Sequence, residues 1–518
     1  MKTRNESPHA ERDTAASSPT VGKRDTTAPG PDTGVPRGEC CAVDHARRFL
    51  LSAGLGLGAL SILDVLGGAR AAAQPAVGEA MNVGVLGAGQ YPARAKRVIM
   101  LHMLGAISHV DTFDYKPMLE KMTGQEIPPS VRETQRLSTM SGGQSAFPIV
   151  GPLAPFKRRG ESGAWVSDLL PYLGSIADEL CFVKSMHTEH VNHDPASKFL
   201  HTGFQLAGRP SAGAWVSYAL GSDNRDLPNF VVMNSGVSQG VPQDAAIWGP
   251  GFLPSHHQGV EFRAASDPVL YVNNPPGVDR EDRRALLDAL GELARLQYDE
   301  SHDPEILSRV SQYEMAYRMQ ASVPEVADIS DEPEHVLAMY GPDVKKPGTF
   351  ARNCLIARRL AERGVKYQTL FAMGWDLHLA IKPLLPVRCR EIDQPSAALV
   401  MDLKQRGLLD DTLVMFGSEF GRTPFAQGQI DNPLVGRDHH GGCFTWWLAG
   451  GGVKAGLTYG ETDDFSYNIV RDPVHIHDLN ATLLYILGID HERLTYRFQG
   501  RDYRLTDVHG KVVGQILA

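Results

Sequence analysis

The chain has 518 residues, 42% of them apolar and 21% charged, a globular composition with ample material for a core. Its formal charge of −9 is dispersed, and past the amino-terminal leader no dense Lys/Arg block appears. Nucleic acid is thereby excluded as a partner, because neutralising phosphates needs clustered cations.

The first 45 residues form a polar Pro/Ser/Thr/Asp-rich tail that cannot bury enough surface to fold. Ala46-Arg47-Arg48-Phe49-Leu50-Leu51 follows, then an apolar Gly/Leu/Ala stretch to Leu66 and a small-residue cleavage site at Ala71-Ala72-Ala73. Residues 46–73 resemble a twin-arginine export signal, although Phe49 stands directly after the arginine pair. The alternative is an uncleaved anchor, for which Asp64 and the many glycines are poorly suited. The expectation is a periplasmic or secreted protein that leaves the membrane once the signal is cut. Residues 74–95 read as linker. The run Val83–Gly89 imitates a dinucleotide loop, but no useful strand precedes it and Pro92 stands where a helix should start. Beyond the leader lie Cys181, Cys354, Cys389 and Cys443, too widely spaced for a zinc knuckle. They are buried thiols or one or two disulfides, and three pairings are open.

Residues 96–518 read as a single α/β domain. Arg97–Leu104 is a nearly continuous apolar run, as in a strand buried on both faces. A helix is predicted over 166–180, feeding a strand at 181–184. A histidine-dense loop follows (His187, His190, Asn192, His193), with Asp194-Pro195 opening a helix. The next strand is 229–233, and residues 279–349 read as a mostly helical insertion with apolar residues at helical spacing. From Phe350 the rhythm alternates: a helix ending at Gly364, strand 365–371, helix 393–406, strand 412–416, strand 444–448 and helix 478–487. This alternation predicts a doubly wound, mostly parallel sheet with helices on both faces.

In such sheets, sites form beyond the carboxyl ends of the strands. Strand 97–104 is followed by Ser108, His109 and Asp111, and strand 365–371 by Trp375-Asp376-Leu377-His378. Strand 412–416 leads to Ser418-Glu419-Phe420-Gly421-Arg422-Thr423, and Arg437-Asp438-His439-His440 precedes strand 444–448. Four distant segments thus deliver acids, imidazoles and an arginine to one edge. Carboxylate oxygen and imidazole nitrogen are ligands for zinc, manganese or iron. Asp376 and His378 are two apart, so in an extended segment both point the same way. Asp438 is placed to hold a ligand histidine in its tautomer, and Arg422 to face an anionic oxygen. Each has a plainer reading: Asp376 as a turn cap, Glu419 and Arg422 as a structural ion pair, and the loop histidines as solvent-facing.

Taken together, Ser108-His109-Val110-Asp111-Thr112-Phe113-Asp114-Tyr115-Lys116-Pro117, Asn192-His193, Gly208-Arg209-Pro210-Ser211, Trp375-Asp376-Leu377-His378, Gly421-Arg422-Thr423-Pro424, Gly436-Arg437-Asp438-His439-His440 and Gly500-Arg501-Asp502 resemble the successive signatures of one family. It is the exported bacterial domain of unknown function family 1501, often labelled sulfatase-like and similar to an outlying branch of the alkaline phosphatase and sulfatase superfamily. The resemblance implies an alkaline-phosphatase-like α/β sheet that hydrolyses phosphate or sulfate esters at one or two metal ions. Asp376 and His378 resemble the ligand pair of one metal site, and His439 the late histidine ligand. Where the superfamily carries a further Asp-His ligand pair, this chain has Glu419-Phe420. The cysteine-x-proline-x-arginine motif that yields formylglycine is absent.

The expectation from residues and resemblance together is an exported, one-metal hydrolase of anionic esters. Asp111, Asp376, His378 and His439 would hold a divalent zinc, manganese or iron ion. Ser108 or Thr112 would supply a nucleophile beside Glu419 and Arg422, and Asn192, His193 and Arg422 would hold anionic oxygens. The substrate would be a small anionic ester or a sulfated or phosphorylated glycan. The rival expectation is a non-catalytic exported binding protein, and family neighbourhoods suggest cytochrome-c-like exported partners.

Overall fold

Strand β1 (Arg97–Leu104) is buried from Val98 onward, and its side chains alternate between two separate apolar clusters. Ile99, Leu101 and Met103 join Leu355 and Leu399 on one face; Val98, Met100 and Leu104 join Leu200 and Leu483 on the other. A strand needing cover on both faces explains its unbroken apolar sequence. The computed structural model describes residues 84–518 apart from 88, 238–240, 242, 264–267 and 271. The polar tail, the export signal and the linker up to residue 83 lie outside the described residues.

The other elements that position the site are β2 (Cys181–His187), α1 (His193–Thr202), β3 (Phe230–Ser235), β4 (Val260–Phe262), α2 (Arg280–Ser301), α3 (Pro304–Ala327), α4 (Phe350–Glu362), β5 (Tyr367–Met373), α5 (Ile381–Gln405), β6 (Thr412–Gly417), β7 (Gly421–Gln427), β8 (Gly436–His440), β9 (Phe444–Ala449), β10 (Thr458–Tyr459), β11 (Val474–His475) and α6 (Ile476–Ile486). The main sheet has nine strands in the order β10-β2-β9-β6-β1-β5-β3-β4, with β11 also beside β2. Strand β1 runs parallel to β5 and β6, and β5 parallel to β3. Helices α4 and α5 cover one face, and α1 and α6 the other. The sheet is mostly parallel with helices on both faces, as expected from the alternation.

Strand β9 departs from that pattern. It pairs antiparallel with both β6 and β2. Its entrance therefore sits at the edge where the parallel strands end, so residues preceding β9 meet residues following β1, β2, β5 and β6. The hairpin of β7 and β8, paired antiparallel, fills the interval between β6 and β9.

Two helices differ from their predicted spans. Instead of a helix over 166–180, Ala164–Ser167 is a strand paired with Phe156–Arg159, followed by a short helix at Pro171–Ser175. Pro171 stands at the first position of that helix, where its missing N–H leaves no bond unmade. Helix α5 begins at Ile381 rather than 393 and continues through Pro386 and Pro395. The prolines concealed its first turns. Cys181, Cys354, Cys389 and Cys443 are all buried and free. Among the described residues, no helix is long and apolar enough to cross a membrane.

Asp393 ties α5 to the short helix. Its buried carboxylate accepts hydrogen bonds from the amides of Tyr172 (2.9 Å) and Leu173 (2.8 Å). Burial pushes its pKa up to about 6, only partly offset by those two amides. The folded state therefore holds a proton that the unfolded chain releases near pH 4, so this group's contribution to stability falls as pH rises from about 4 to 6. The stability of the wild type relative to Asp393→Asn, from urea unfolding at several pH values, should fall across that window and level off above it. A difference that ignores pH would refute the assignment.

Candidate metal centre

The entrance of β9 and the exits of β2 and β5 bring four donor side chains together. Asp376 Oδ1 lies 2.9 Å from His378 Nε2, 3.1 Å from His193 Nε2 and 3.2 Å from His439 Nε2. His378 Nε2 and His439 Nε2 are 2.8 Å apart. One ligand atom from each of the four lies within 4.8 Å of every other, and this is the one such cluster among the described residues. Atoms about 2.0–2.2 Å from a shared zinc-like ion are spaced on this scale.

Each imidazole is tied at its other nitrogen. His193 Nδ1 faces Glu419 Oε1 at 2.5 Å, His439 Nδ1 faces the Val191 carbonyl at 2.7 Å, and His378 Nδ1 faces Gln427 Oε1. All three partners are acceptors, so each Nδ1 carries the proton and each Nε2 lone pair points inward. Three lone pairs and a carboxylate oxygen then face one another. His193 Nε2 is buried and makes no aligned hydrogen bond despite its 3.1 Å approach to Asp376. Such an arrangement is unfavourable unless a cation stands between the donors. The donor set therefore fits a divalent metal.

The electrostatics agree. Burial alone would raise the pKa of Asp376, but the close approach of the His193, His378 and His439 imidazoles and the charge of Arg422 hold it well below the usual carboxylate range. Burial works against charge on His193, yet Asp376 and Glu419 outweigh it and hold its pKa above the ordinary value. The two carboxylates thus call for a positive charge at this point. Burial pulls His439 the other way, toward the neutral ligand form.

The supporting shell is buried. Glu419 is fully enclosed and accepts from the Gly105 amide at 2.9 Å, while its Oε2 lies 3.0 Å from His102 Nε2. Burial would raise its pKa, but His102 and His193 hold it well below the usual range. His102 in turn meets His201 of α1 at 2.9 Å. Arg422 donates to the carbonyls of Gly105, Ala106 (3.1 Å), Trp375 (3.3 Å) and Arg437 (3.2 Å), and to Asp376 Oδ1 at 2.7 Å. Gly105 is required there: its φ is +105°, and a Cβ would lie 2.6 Å from the Asp376 amide nitrogen. Phe420 packs against the rings of His193 and His439, with centroids 4.8 and 4.7 Å away.

The structure redistributes several expected roles. It brings Asp376, His378 and His439 together in one cluster that could hold an ion, and adds His193, which the sequence assigns to the substrate. Asp111 is elsewhere, in a fully buried two-pronged pair with Arg437 (2.8 and 2.9 Å). Its neighbours in sequence serve that pair: Ser108 Oγ donates to Asp111 at 2.6 Å, and Thr112 Oγ1 to the Ser108 carbonyl at 2.7 Å. Both hydroxyls are buried, so neither is presented as a nucleophile. Arg422 is 1% exposed, and each of its nitrogens is engaged by a backbone carbonyl or Asp376, so the guanidinium is not presented to a substrate. Glu419 pairs with imidazoles rather than with Arg422. Asn192 caps α1 by accepting from the Asp194 amide at 3.3 Å, while its neighbour Val191 fixes His439. Asp438 accepts from the His439 amide at 2.7 Å instead of orienting that ring. His102 escaped the sequence reading, although one polar residue inside an apolar buried strand must find partners and so carried a signal.

The family described as protein of unknown function (DUF1501) matches residues 95–517. The chain belongs to it. No curated protein matches the sequence. Among solved structures the chain is similar to the lipoteichoic acid synthase LtaP from Listeria monocytogenes, with 9% identity, 83% of this chain and 79% of that one covered, and a TM-score of 0.34. It is also similar to a protein in the alkaline phosphatase superfamily from Vibrio parahaemolyticus (10% identity, 80% and 74% covered, TM-score 0.31). A third is the PsFucS1 sulfatase from Pseudoalteromonas sp. (14% identity, 77% and 69% covered, TM-score 0.30).

Asp111→Asn should destabilise the protein by about 3–5 kcal/mol, since it leaves the buried Arg437 charge uncompensated. Denaturant unfolding measures this. Any metal that the wild type binds should be kept by the folded variant; loss of it without loss of stability would return Asp111 to the candidate ligand set.

Proposed function

We propose that the chain is an exported hydrolase of phosphate or sulfate esters that works at a single divalent metal held by His193, Asp376, His378 and His439. The observation that carries this reading is the inward convergence of three Nε2 lone pairs on one carboxylate oxygen, each imidazole fixed by an acceptor behind it. A divalent cation there would act as a Lewis acid toward an anionic ester oxygen. The chain's own residues do the rest. Glu419, Gln427 and the Val191 carbonyl orient the imidazoles, and Arg422 fixes Asp376 against the end of β1. Phe420 closes the side behind His193 and His439 and stands where a further ligand pair would be needed for a second ion. The side chains of Asp376 and His378 are 17% and 14% exposed, against 8% and 9% for His193 and His439, so the ester approaches from the Asp376–His378 side. With the Ser108 and Thr112 hydroxyls buried and engaged, the attacking nucleophile is water, and no covalent enzyme intermediate forms.

One observation favours a second reading. Four protein ligands make the closed set typical of structural metal sites, whereas catalytic zinc sites usually have three. On that reading the metal braces a non-catalytic binding protein.

Purified full-length protein should contain about one zinc, manganese or iron per chain, and His378→Ala should lose it. Chelation should abolish hydrolysis of chromogenic phosphate and sulfate esters, and restoring the metal should recover it. Metal without turnover selects the second reading. No metal in the wild type, purified without chelators and resupplied with metals, rejects both.

A further inference from the structure

Beside the metal centre, one residue along the chain from Asp376, Trp375 forms part of the wall of a cavity of ≈ 290 Å³. The cavity lies beyond the ends of β3 and β5, where Ser235 and Met373 reach it, and its opposite wall is the start of α4. Its unmet hydrogen-bonding capacity is one-sided. Trp375 is 1% exposed, and its indole N–H has no partner. Arg388 Nε is likewise buried without a partner, although Nη1 of the same guanidinium reaches Glu391 at 2.7 Å. These are the two buried unpartnered side-chain atoms of the lining, and both are donors. Helix α4 has 13 residues and begins after Thr349, whose hydroxyl takes the Arg352 amide; the amides of Phe350 and Ala351 have no partner within the helix. The positive end of the α4 dipole therefore faces the cavity. Lys346 stands at the rim, paired with Asp343 at 2.7 Å. Gly374 allows Arg388 its position: a Cβ there would lie 3.1 Å from the guanidinium carbon.

With the lining carboxylates of Asp343 and Glu391 engaged by Lys346 and Arg388, two unpartnered donors, a helix amino terminus and a guanidinium suit a group that only accepts hydrogen bonds and carries negative charge. We propose that this cavity is a second anion subsite, taking a sulfate or phosphate group on the substrate unit next to the one bound at the metal. The inference rests on the hydrolase reading of the metal centre and deepens it: the substrate is a chain bearing repeated anionic groups rather than an isolated monoester. Two adjacent subsites also account for a metal loop, Trp375–His378, that contributes to both.

The test is a calorimetric titration of inorganic sulfate, and separately of phosphate, into full-length protein carrying His378→Ala, where the metal centre no longer contributes. One saturable anion per chain is expected. Arg388→Gln should weaken it about tenfold or more, and Trp375→Phe, which removes the indole N–H together with part of the ring, by a smaller factor. Thermal unfolding checks that each variant is folded. Absence of saturable binding, or binding that ignores both substitutions, overturns the subsite. In the metal-loaded protein with native His378, Arg388→Gln should weaken binding of a disulfated oligosaccharide while leaving a monosulfated one unchanged. Equal affinity for the disulfated ligand with and without Arg388→Gln would make the cavity a site for free anions and overturn the substrate claim. Because these are binding measurements, a protein that binds both ligands as expected yet hydrolyses neither would refute the hydrolase reading alone.

Discussion

The Arg422 guanidinium is the point on which the site depends. Only 1% exposed, it satisfies carbonyls from the end of β1, from the segment after β5 and from β8, and it holds the Asp376 carboxylate by a charged hydrogen bond. A planar fork with five donors can serve several acceptors at fixed angles, which a lysine cannot. Its charge also lowers the pKa of Asp376 and works against protonation of His439. One side chain thereby sets the backbone geometry and the charge state of the centre together.

The direction of β9 is the second constraint. Had it joined the sheet parallel to its neighbours, His439 would arrive at the opposite edge, a strand length from Asp376. The β7–β8 hairpin is the device that reverses the chain. Within it, Arg437 turns back to the buried Asp111, locking the hairpin onto the turn after β1. The Asp111 pair is thus architectural, yet it governs where His439 stands.

Much of this was legible in the sequence. The apolar run of β1 and the helix–strand alternation after Phe350 gave the sheet, because a strand covered on both faces has no alternative composition. Asp376, His378 and His439 were found as polar residues at strand ends. What periodicity could not resolve was which acid pairs with which base. Asp111 and Asp376 both follow parallel strands and look alike in sequence; only packing shows that one meets an arginine and the other three imidazoles. Ser108 and Thr112 carry the same ambiguity in sequence, since a hydroxyl near a carboxylate suits a nucleophile and a turn alike. The hidden prolines of α5 show the limit of local rules when neighbouring helices supply the cover.

The four residues that could hold an ion stand at positions 193, 376, 378 and 439, and only the 376/378 pair is brought together by local structure. An ion bound there would be a cross-link across more than half of the described chain, closing loops that no cysteine pair closes. It could form only after β2, β5 and the β7–β8 hairpin had docked, so an ion would enter late and select the assembled chain by mass action. The same long-range closure makes folding slow to nucleate, because distant segments must meet before any of these contacts forms. Occupancy of the centre is then a record of whether the whole sheet was completed.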